Sequence, residues 1–384
     1  MKKIVFFLLA FLAVMINFTC VEAKYASCER GNFLFEYEVE DEGTWITKIT
    51  PLSGKGIKTL NIPEKLGGKK VVKLGAAEDV LGVMDSPDDD DNLFGVYTSK
   101  EDGSIQPKDI QRKVKKIRTI RIPSSVKFIT QSCFKNMQNG KNINIPKALG
   151  EELLDKDGNS IIYSVVEQFT KVKWDRITVS PKNKKFKVEN GCLLSKGGKV
   201  LYGFVQKKDR IEIPKTVKKI SGFLGDYNGT STIVIPKGVK KIEKNALSTR
   251  KAVTVKLAKG NKRYAAKDGC VYSKVSGRLV LACVKNGTLK IPEKVWMING
   301  HGYLGPKPDK VIIPSSVKEI HDLLSMTFEK KLTIIMKGEN PPRLVYSSVG
   351  DAGSVTIYVP KNAIQTYKEK WKFEHSAGVA IIPN

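Results

Sequence analysis

The sequence predicts a β-rich solenoid, a single array of coils of about 22–23 residues with inserted β-hairpins and a C-terminal cap. Three observations carry that prediction. A short phrase, Ile-x-Ile-Pro with valine three positions past the proline and isoleucine six past it, recurs through the chain. Its copies fall at nearly constant steps, and a longer unit, whose landmarks return at a numbering offset of 78, lies on top of it. Self-similarity at a period of roughly 20–50 residues means that each unit buries its apolar side only against its neighbours. Architecture therefore precedes chemistry in this chain.

The phrase is Ile120, Ile122, Pro123, Val126 and Ile129 in one copy, and Ile211, Ile213, Pro214, Val217 and Ile220 in the next clear one. It returns as Ile233, Ile235, Pro236, Val239 and Ile242, and two more copies begin at Leu289 and Val311. The first apolar pair alternates with period two, as in a strand with one buried face. Proline then closes the strand, because it has no amide hydrogen for a ladder flanked on both sides by neighbouring coils. The valine and isoleucine that follow turn the chain back to the core. Paired prolines step by 23 in the numbering from Pro123 to Pro146, by 22 from Pro214 to Pro236 and by 22 from Pro292 to Pro314. Pro360 follows Pro314 after a step of 46, room for two more coils. That is leucine-rich-repeat length.

From the N-terminus, Lys2-Lys3, an apolar run over residues 4–16 and a polar stretch ending Val21-Glu22-Ala23 read as a secretory signal peptide, residues 1–23. Thirteen apolar residues fall short of the roughly 20 that a spanning helix needs. A lipid on Cys20 is disfavoured, since Asn17 and Thr19 stand where a lipoprotein signal places an aliphatic and a small residue. The mature chain, from Lys24, carries 64 basic and 38 acidic residues, a net +26. Such an excess attracts polyanions and says nothing of fold. Residues 24–384 form one solenoid: an N-terminal repeat (24–77), an acidic insert (78–112), repeats over 113–335 that hold two of the long units, and a C-terminal repeat with its cap (336–384).

In the long unit, Gly191-Cys192 matches Gly269-Cys270, Leu201 matches Leu279, and Pro214 and Pro236 match Pro292 and Pro314. The added segments, 186–205 and 264–284, read as β-hairpins, with tight turns at Asn190-Gly191 and Asp268-Gly269 and tips at Gly197-Gly198 and Ser276-Gly277. After Pro360, the helical spacing of Ile364, Tyr367 and Trp371 predicts a short amphipathic helix over the last coil. Residues 379–382 add a final strand, and core packing is the favoured role for the two aromatics over a carbohydrate platform.

These residues carry a resemblance. The Ile-x-Ile-Pro-x-x-Val-x-x-Ile repeat, the hairpin phrase Asn183-x-x-Phe186-x-Val188-x-Asn190-Gly191, and the ending from Ile357 through Pro360 and Tyr367 to Trp371 together resemble the BspA-like leucine-rich repeat family. The opening, Phe35, Tyr37, Trp45, Leu60, Ile62-Pro63 and Val71-Val72, looks like that family's first repeat. The resemblance covers nearly all of the mature chain. It implies an α/β-type, right-handed leucine-rich-repeat solenoid, exported by a host-associated bacterium and secreted or held on the outer cell surface. Some members bind host matrix proteins or other bacteria, but no short motif encodes this, so no binding residue is carried over.

Motifs for chemistry are missing from the sequence. His301, His321 and His375 have no metal-ligand spacing with one another or with a cysteine, and there is no Gly-x-Ser-x-Gly elbow or phosphate loop. No catalytic residue, cofactor or metal is therefore expected. The acidic run Asp88, Asp89, Asp90, Asp91 lacks the alternate spacing of a calcium loop and reads as a solvated insert. Five cysteines of the mature chain, Cys28, Cys133, Cys192, Cys270 and Cys283, are too scattered for a disulfide framework and read as small buried hydrophobes. What remains is lysine. Lys127, Lys218, Lys219, Lys240, Lys241 and Lys318 follow the strand-closing prolines, and equivalent residues of adjacent coils stand about 4.8 Å apart, so Lys218-Lys219 and Lys240-Lys241 are expected to stack into a positive ridge, either a solvated surface or a site for a polyanion or an acidic protein patch. The expected function is non-enzymatic recognition, with adhesion to a host extracellular-matrix or cell-surface protein or an acidic glycan. Nucleic acid is not expected as a partner of an exported protein. The alternative is an envelope-associated polysaccharide-binding or structural protein of the producing microbe.

Overall fold

The structure is a computed structural model that describes residues 25–52, 57–75, 93–94, 108–130, 133–134, 137, 139–151, 162–170, 174–206, 208–222, 230–244, 246–249, 251–299, 302–306, 308–321, 331–345, 355–371 and 378–384. The segment read as an export signal, with Cys20, the acidic run at 88–91, His301 and His375 lie outside the described residues.

Each Ile-x-Ile-Pro phrase forms a strand, and the strands of successive coils pair in parallel. Thr59–Asn61, Thr119–Arg121, Asn142–Ile145 and Arg176–Val179 make the first run. Arg210–Glu212, Thr232–Ile235 and Thr254–Leu257 make the second. Thr288–Lys290, Lys310–Ile313, Leu332–Met336, Val355–Val359 and Val379–Pro383 make the third. Side chains of period two fall on opposite faces, so Ile211 and Ile213 go inward and are buried while Arg210 and Glu212 stay exposed. The closing prolines Pro214, Pro236, Pro292 and Pro314 are buried where the chain leaves the sheet.

A second row of strands, each two residues long, runs beside the first. It comprises Phe128–Ile129, Lys219–Ile220, Lys241–Ile242, Met297–Ile298, Glu319–Ile320 and Arg343–Leu344. The isoleucine six positions past each proline is therefore a strand residue rather than a mere turn, paired Ile220 to Ile242 and Ile298 to Ile320. Val217 and Ile220 are fully buried. With Ile211 and Ile213 they give each coil four buried branched side chains, each worth about 1.5–3 kcal/mol when removed from water. The core divides in chain order into three clusters, built around Phe35 to Val205, Cys192 to Leu304, and Cys270 to Trp371.

The inserts are three-stranded, one strand more than a single hairpin. Phe186–Glu189, Cys192–Ser195 and Val200–Phe204 pair antiparallel in succession, as do Tyr264–Lys267, Cys270–Ser273 and Leu279–Lys285. Both first turns are left-handed at two residues, Asn190 and Gly191 at φ 52° and 79°, Asp268 and Gly269 at φ 52° and 82°. That is the turn which matches strand twist and demands Asn, Asp or Gly. Asparagine anchors each insert to the coil before it. Asn183, 1% exposed, donates from Nδ2 to the carbonyls of Pro146 (2.7 Å) and Leu149 (3.1 Å), and its Oδ1 accepts from the amides of Lys185 (2.9 Å) and Phe186 (2.8 Å). Asn261 repeats this on Pro236, Arg263 and Tyr264.

Two helices do not show in the apolar period. Lys108–Val114 begins inside the span read as an acidic insert, and Ile162–Thr170 buries Val165, Val166 and Phe169 against the first cluster. Both are shorter than the windows over which helical periodicity emerges. The C-terminal helix Ile364–Lys370 follows a 3-10 turn at Lys361–Ala363 and covers the last coil. Tyr367 is fully buried and Trp371 nearly so, which makes both core residues.

Candidate functional site

The lysines singled out by sequence occupy three places. Lys218, Lys219, Lys240 and Lys241 lie together on adjacent coils, with Lys219 in register with Lys241 and the Lys240 amide bonded to the Lys218 carbonyl at 2.8 Å. Lys127 is half-buried and follows the N-terminal repeat, its amide bonded to the Val72 carbonyl. Lys318 sits beside Trp296 on a later coil, its ammonium donating to the Ser315 carbonyl. The structure thus brings four of the six residues into one group.

Within that group the charges are not equivalent. Glu243 accepts an ion pair from Lys219 at 2.6 Å and stands 3.7 Å from Lys241, so one carboxylate offsets the inner pair. Lys218 and Lys240 are exposed and have no ion pair among the described residues. Lys199 extends their line, since the amides of Lys218 and Lys219 both bond to its carbonyl. A second line runs parallel. Glu212, Val234 and Lys256 are successive neighbours across the strands, and three positions past each stand Lys215, Lys237 and Lys259, all exposed. Along either line successive residues are separated by one coil, about 4.8 Å. A Cβ added at Gly238 would stand 2.8 Å from Lys218 Nζ, so this ammonium reaches over the turn of the following coil between the two lines.

The local charge is large. Residues 181–258 hold 19 lysines and arginines against five acidic residues, so a fifth of the chain carries +14 of its net +27. Sequence reading found the Lys-Lys doublets and missed Lys199, Lys215, Lys237 and Lys259. Lys215, Lys237 and Lys259 recur at coil period on the surface, a signal present in the sequence but overshadowed by the apolar repeat.

Burial pushes the Cys192 and Cys270 thiols up to about 12, which leaves about one thiolate in ten thousand at pH 8. Native chain 24–384 is expected to release one rapid equivalent with a thiol reagent at pH 8, from half-buried Cys28, and the other four only in denaturant. Rapid modification of more than one thiol, followed by mass spectrometry of peptides, would show the inserts to be open. Glu319 takes Arg343 at 2.6 Å and also His321, and these partners hold its carboxyl below the ordinary carboxylate range. Among the described residues no group of three or more His, Cys, Asp or Glu side chains is placed to hold a metal ion.

Coils of this length, stacked by two rows of parallel strands, define a leucine-rich-repeat solenoid. A family model described as BspA type leucine rich repeat region matches in six copies, over residues 108–155 and 199–270, so these stretches are similar to BspA-type leucine-rich repeats. Solved structures similar to it include the pneumococcal vaccine antigen PcpA, at 14% identity over 94% of this chain and 98% of that one, TM-score 0.33. A leucine-rich repeat protein from Eubacterium ventriosum is 17% identical over 91% and 82%, TM-score 0.34. Another, from Bacteroides ovatus, is 13% identical over 95% and 100%, TM-score 0.23. No curated protein matches.

Proposed function

We infer that the chain is an exported, non-enzymatic recognition protein that acts at a cell surface, with adhesion to surface molecules of a host or of other microbes as its role. The observation that carries this reading is the row of exposed lysines Lys215, Lys218, Lys237, Lys240 and Lys259, laid out in lines by the repeat. A solenoid presents many equivalent positions at fixed spacing, which suits an extended surface ligand. BspA-type repeats support the same reading, and among the described residues no helix is long and apolar enough to cross a membrane.

The test is attachment. Beads coated with chain 24–384 are expected to bind host or bacterial cells saturably, and soluble chain is expected to compete them off. Attachment that soluble chain does not reduce would overturn the adhesive role. Retention by isolated envelope polysaccharide of a producing cell, with no binding to foreign surfaces, would support the envelope role instead.

A further inference from the structure

We propose that the two lysine lines of residues 199–259 bind a linear polymer of sulfate or phosphate esters, lying along the solenoid axis across consecutive coils. This rests on the recognition reading above and names its partner class.

The chain contains its own comparison. Each position of the first long unit has a counterpart at an offset of 78, in a unit that repeats the three-stranded insert and the parallel strand rows after it. Core and turn positions are kept: Ile213 and Ile291, Pro214 and Pro292, Val217 and Val295, Ile220 and Ile298, Val239 and Val317, Ile242 and Ile320. Most of the surface lysines are not kept. Lys199 becomes Gly277, Lys215 becomes Glu293, Lys218 becomes Trp296, Lys219 becomes Met297, Lys237 becomes Ser315 and Lys241 becomes Glu319. Only Lys240 and Lys259 persist, as Lys318 and Lys337. The coil therefore folds without these lysines. Like charges one coil apart repel, so the first unit holds an arrangement that its fold does not require and that its electrostatics oppose. Residues 259–336 carry 14 basic and six acidic residues, +8, against +14 in residues 181–258.

The chemistry of the face selects the ligand. Protein interfaces are centred on desolvated aromatics and arginine, with lysine depleted. Among the described residues the exposed large hydrophobics are Tyr25, Leu52, Val275 and Trp296, and none falls within 181–258. Every residue of the two lines is lysine, a compact point charge without the planar fork that grips a carboxylate in two places. Such a face reads charge density. It has two parallel lines at one-coil spacing, so it can follow a flexible chain over several ester groups, and release of that chain's counterions would drive binding.

The experiment compares three forms of chain 24–384: wild type, a face variant carrying Lys215→Glu, Lys218→Glu, Lys237→Glu and Lys240→Glu, and a control with the same charge change elsewhere, Lys290→Glu, Lys310→Glu, Lys337→Glu and Lys361→Glu. Circular dichroism melting checks that all three fold, as Glu293, Trp296 and Ser315, the counterparts of Lys215, Lys218 and Lys237, lead one to expect at those three positions. Binding is measured by calorimetry at physiological salt to dextran sulfate, to inorganic polyphosphate and to hyaluronate, which carries only carboxylates. Wild type is expected to bind the first two, and the face variant to lose at least about tenfold in affinity and to show a shallower salt dependence, while the control loses less than about threefold. Sulfate and phosphate sources are then separated by competing a sulfated host glycan against a glycerol-phosphate polymer. Equal losses in the two variants would overturn the proposal, reducing binding to net charge. Cell attachment that persists in the face variant, or wild-type binding to matrix proteins and to neither polymer, would overturn it and leave the adhesive reading standing.

Discussion

Asn183→Ala is expected to destabilise the chain by about 4 kcal/mol, several times the effect of an ordinary surface substitution. The side chain is 1% exposed and makes four hydrogen bonds, two donated to carbonyls of the preceding coil and two accepted from amides at the start of the insert. Alanine leaves the Pro146 and Leu149 carbonyls and the Lys185 and Phe186 amides without that partner. A buried polar group so orphaned costs about 1–3 kcal/mol, and water entering the vacated space recovers part of the total. Aspartate keeps the two accepted bonds but sets an oxygen against two carbonyl oxygens, so Asn183→Asp is expected to be destabilising as well. Asn261→Ala removes three recorded bonds, one of them long at 3.3 Å, and a loss nearer about 3 kcal/mol is expected. Urea unfolding followed by circular dichroism measures these values. A loss under about 1 kcal/mol for Asn183→Ala would mean that the insert is held by its apolar contacts alone.

This anchor was partly legible in the sequence, because Asn183 and Asn261 stand at the same point of the long unit and each precedes an aromatic by three positions. The long strands were legible for a stronger reason: period-two isoleucines followed by proline leave few other conformations. The second row of strands was not, since two residues such as Lys219–Ile220 are too few to show a period. In the second unit Asn286-Gly287 forms a further left-handed turn, at φ 48° and 71°, and folds Leu279–Lys285 back onto Thr288–Lys290. That dipeptide is a hairpin signal in its own right, and the first unit has Lys208-Asp209 there instead. For the site, sequence placed the lysine doublets on the surface. It could not assign Glu243 to Lys219, because that carboxylate belongs to the coil after Lys219 and the contact exists only once coils stack in register. Charge on a solenoid is therefore read best by columns across coils, a direction that a linear sequence hides.

Trp371→Ala is expected to cost about 3–5 kcal/mol, the range for removing a large buried aromatic, and to spend that loss at one end of the molecule. Trp371 is 3% exposed, packs edge-on to Tyr367 at 5.0 Å between ring centroids, and donates from Nε1 to the Pro342 carbonyl at 2.8 Å. Tyr367 donates its hydroxyl to the Gly338 carbonyl at 2.8 Å. Both bonds tie the cap to the loop that follows the Leu332–Met336 strand, so the helix holds one coil in place and covers the core with its aromatic rings. Coils in a solenoid are stabilised mainly by their nearest neighbours. Loss of the tryptophan is therefore expected to raise amide hydrogen exchange in Val355–Val359 and Val379–Pro383, then in Leu332–Met336, and to leave Arg210–Glu212 and Thr232–Ile235 protected. Tyr367→Phe keeps the ring and orphans one carbonyl, for a smaller loss of about 1–2 kcal/mol with the same spatial pattern. Uniform acceleration along the whole chain would instead show that the coils unfold as one unit, and unchanged exchange in the last three strands would show that the helix rests on the solenoid without securing it.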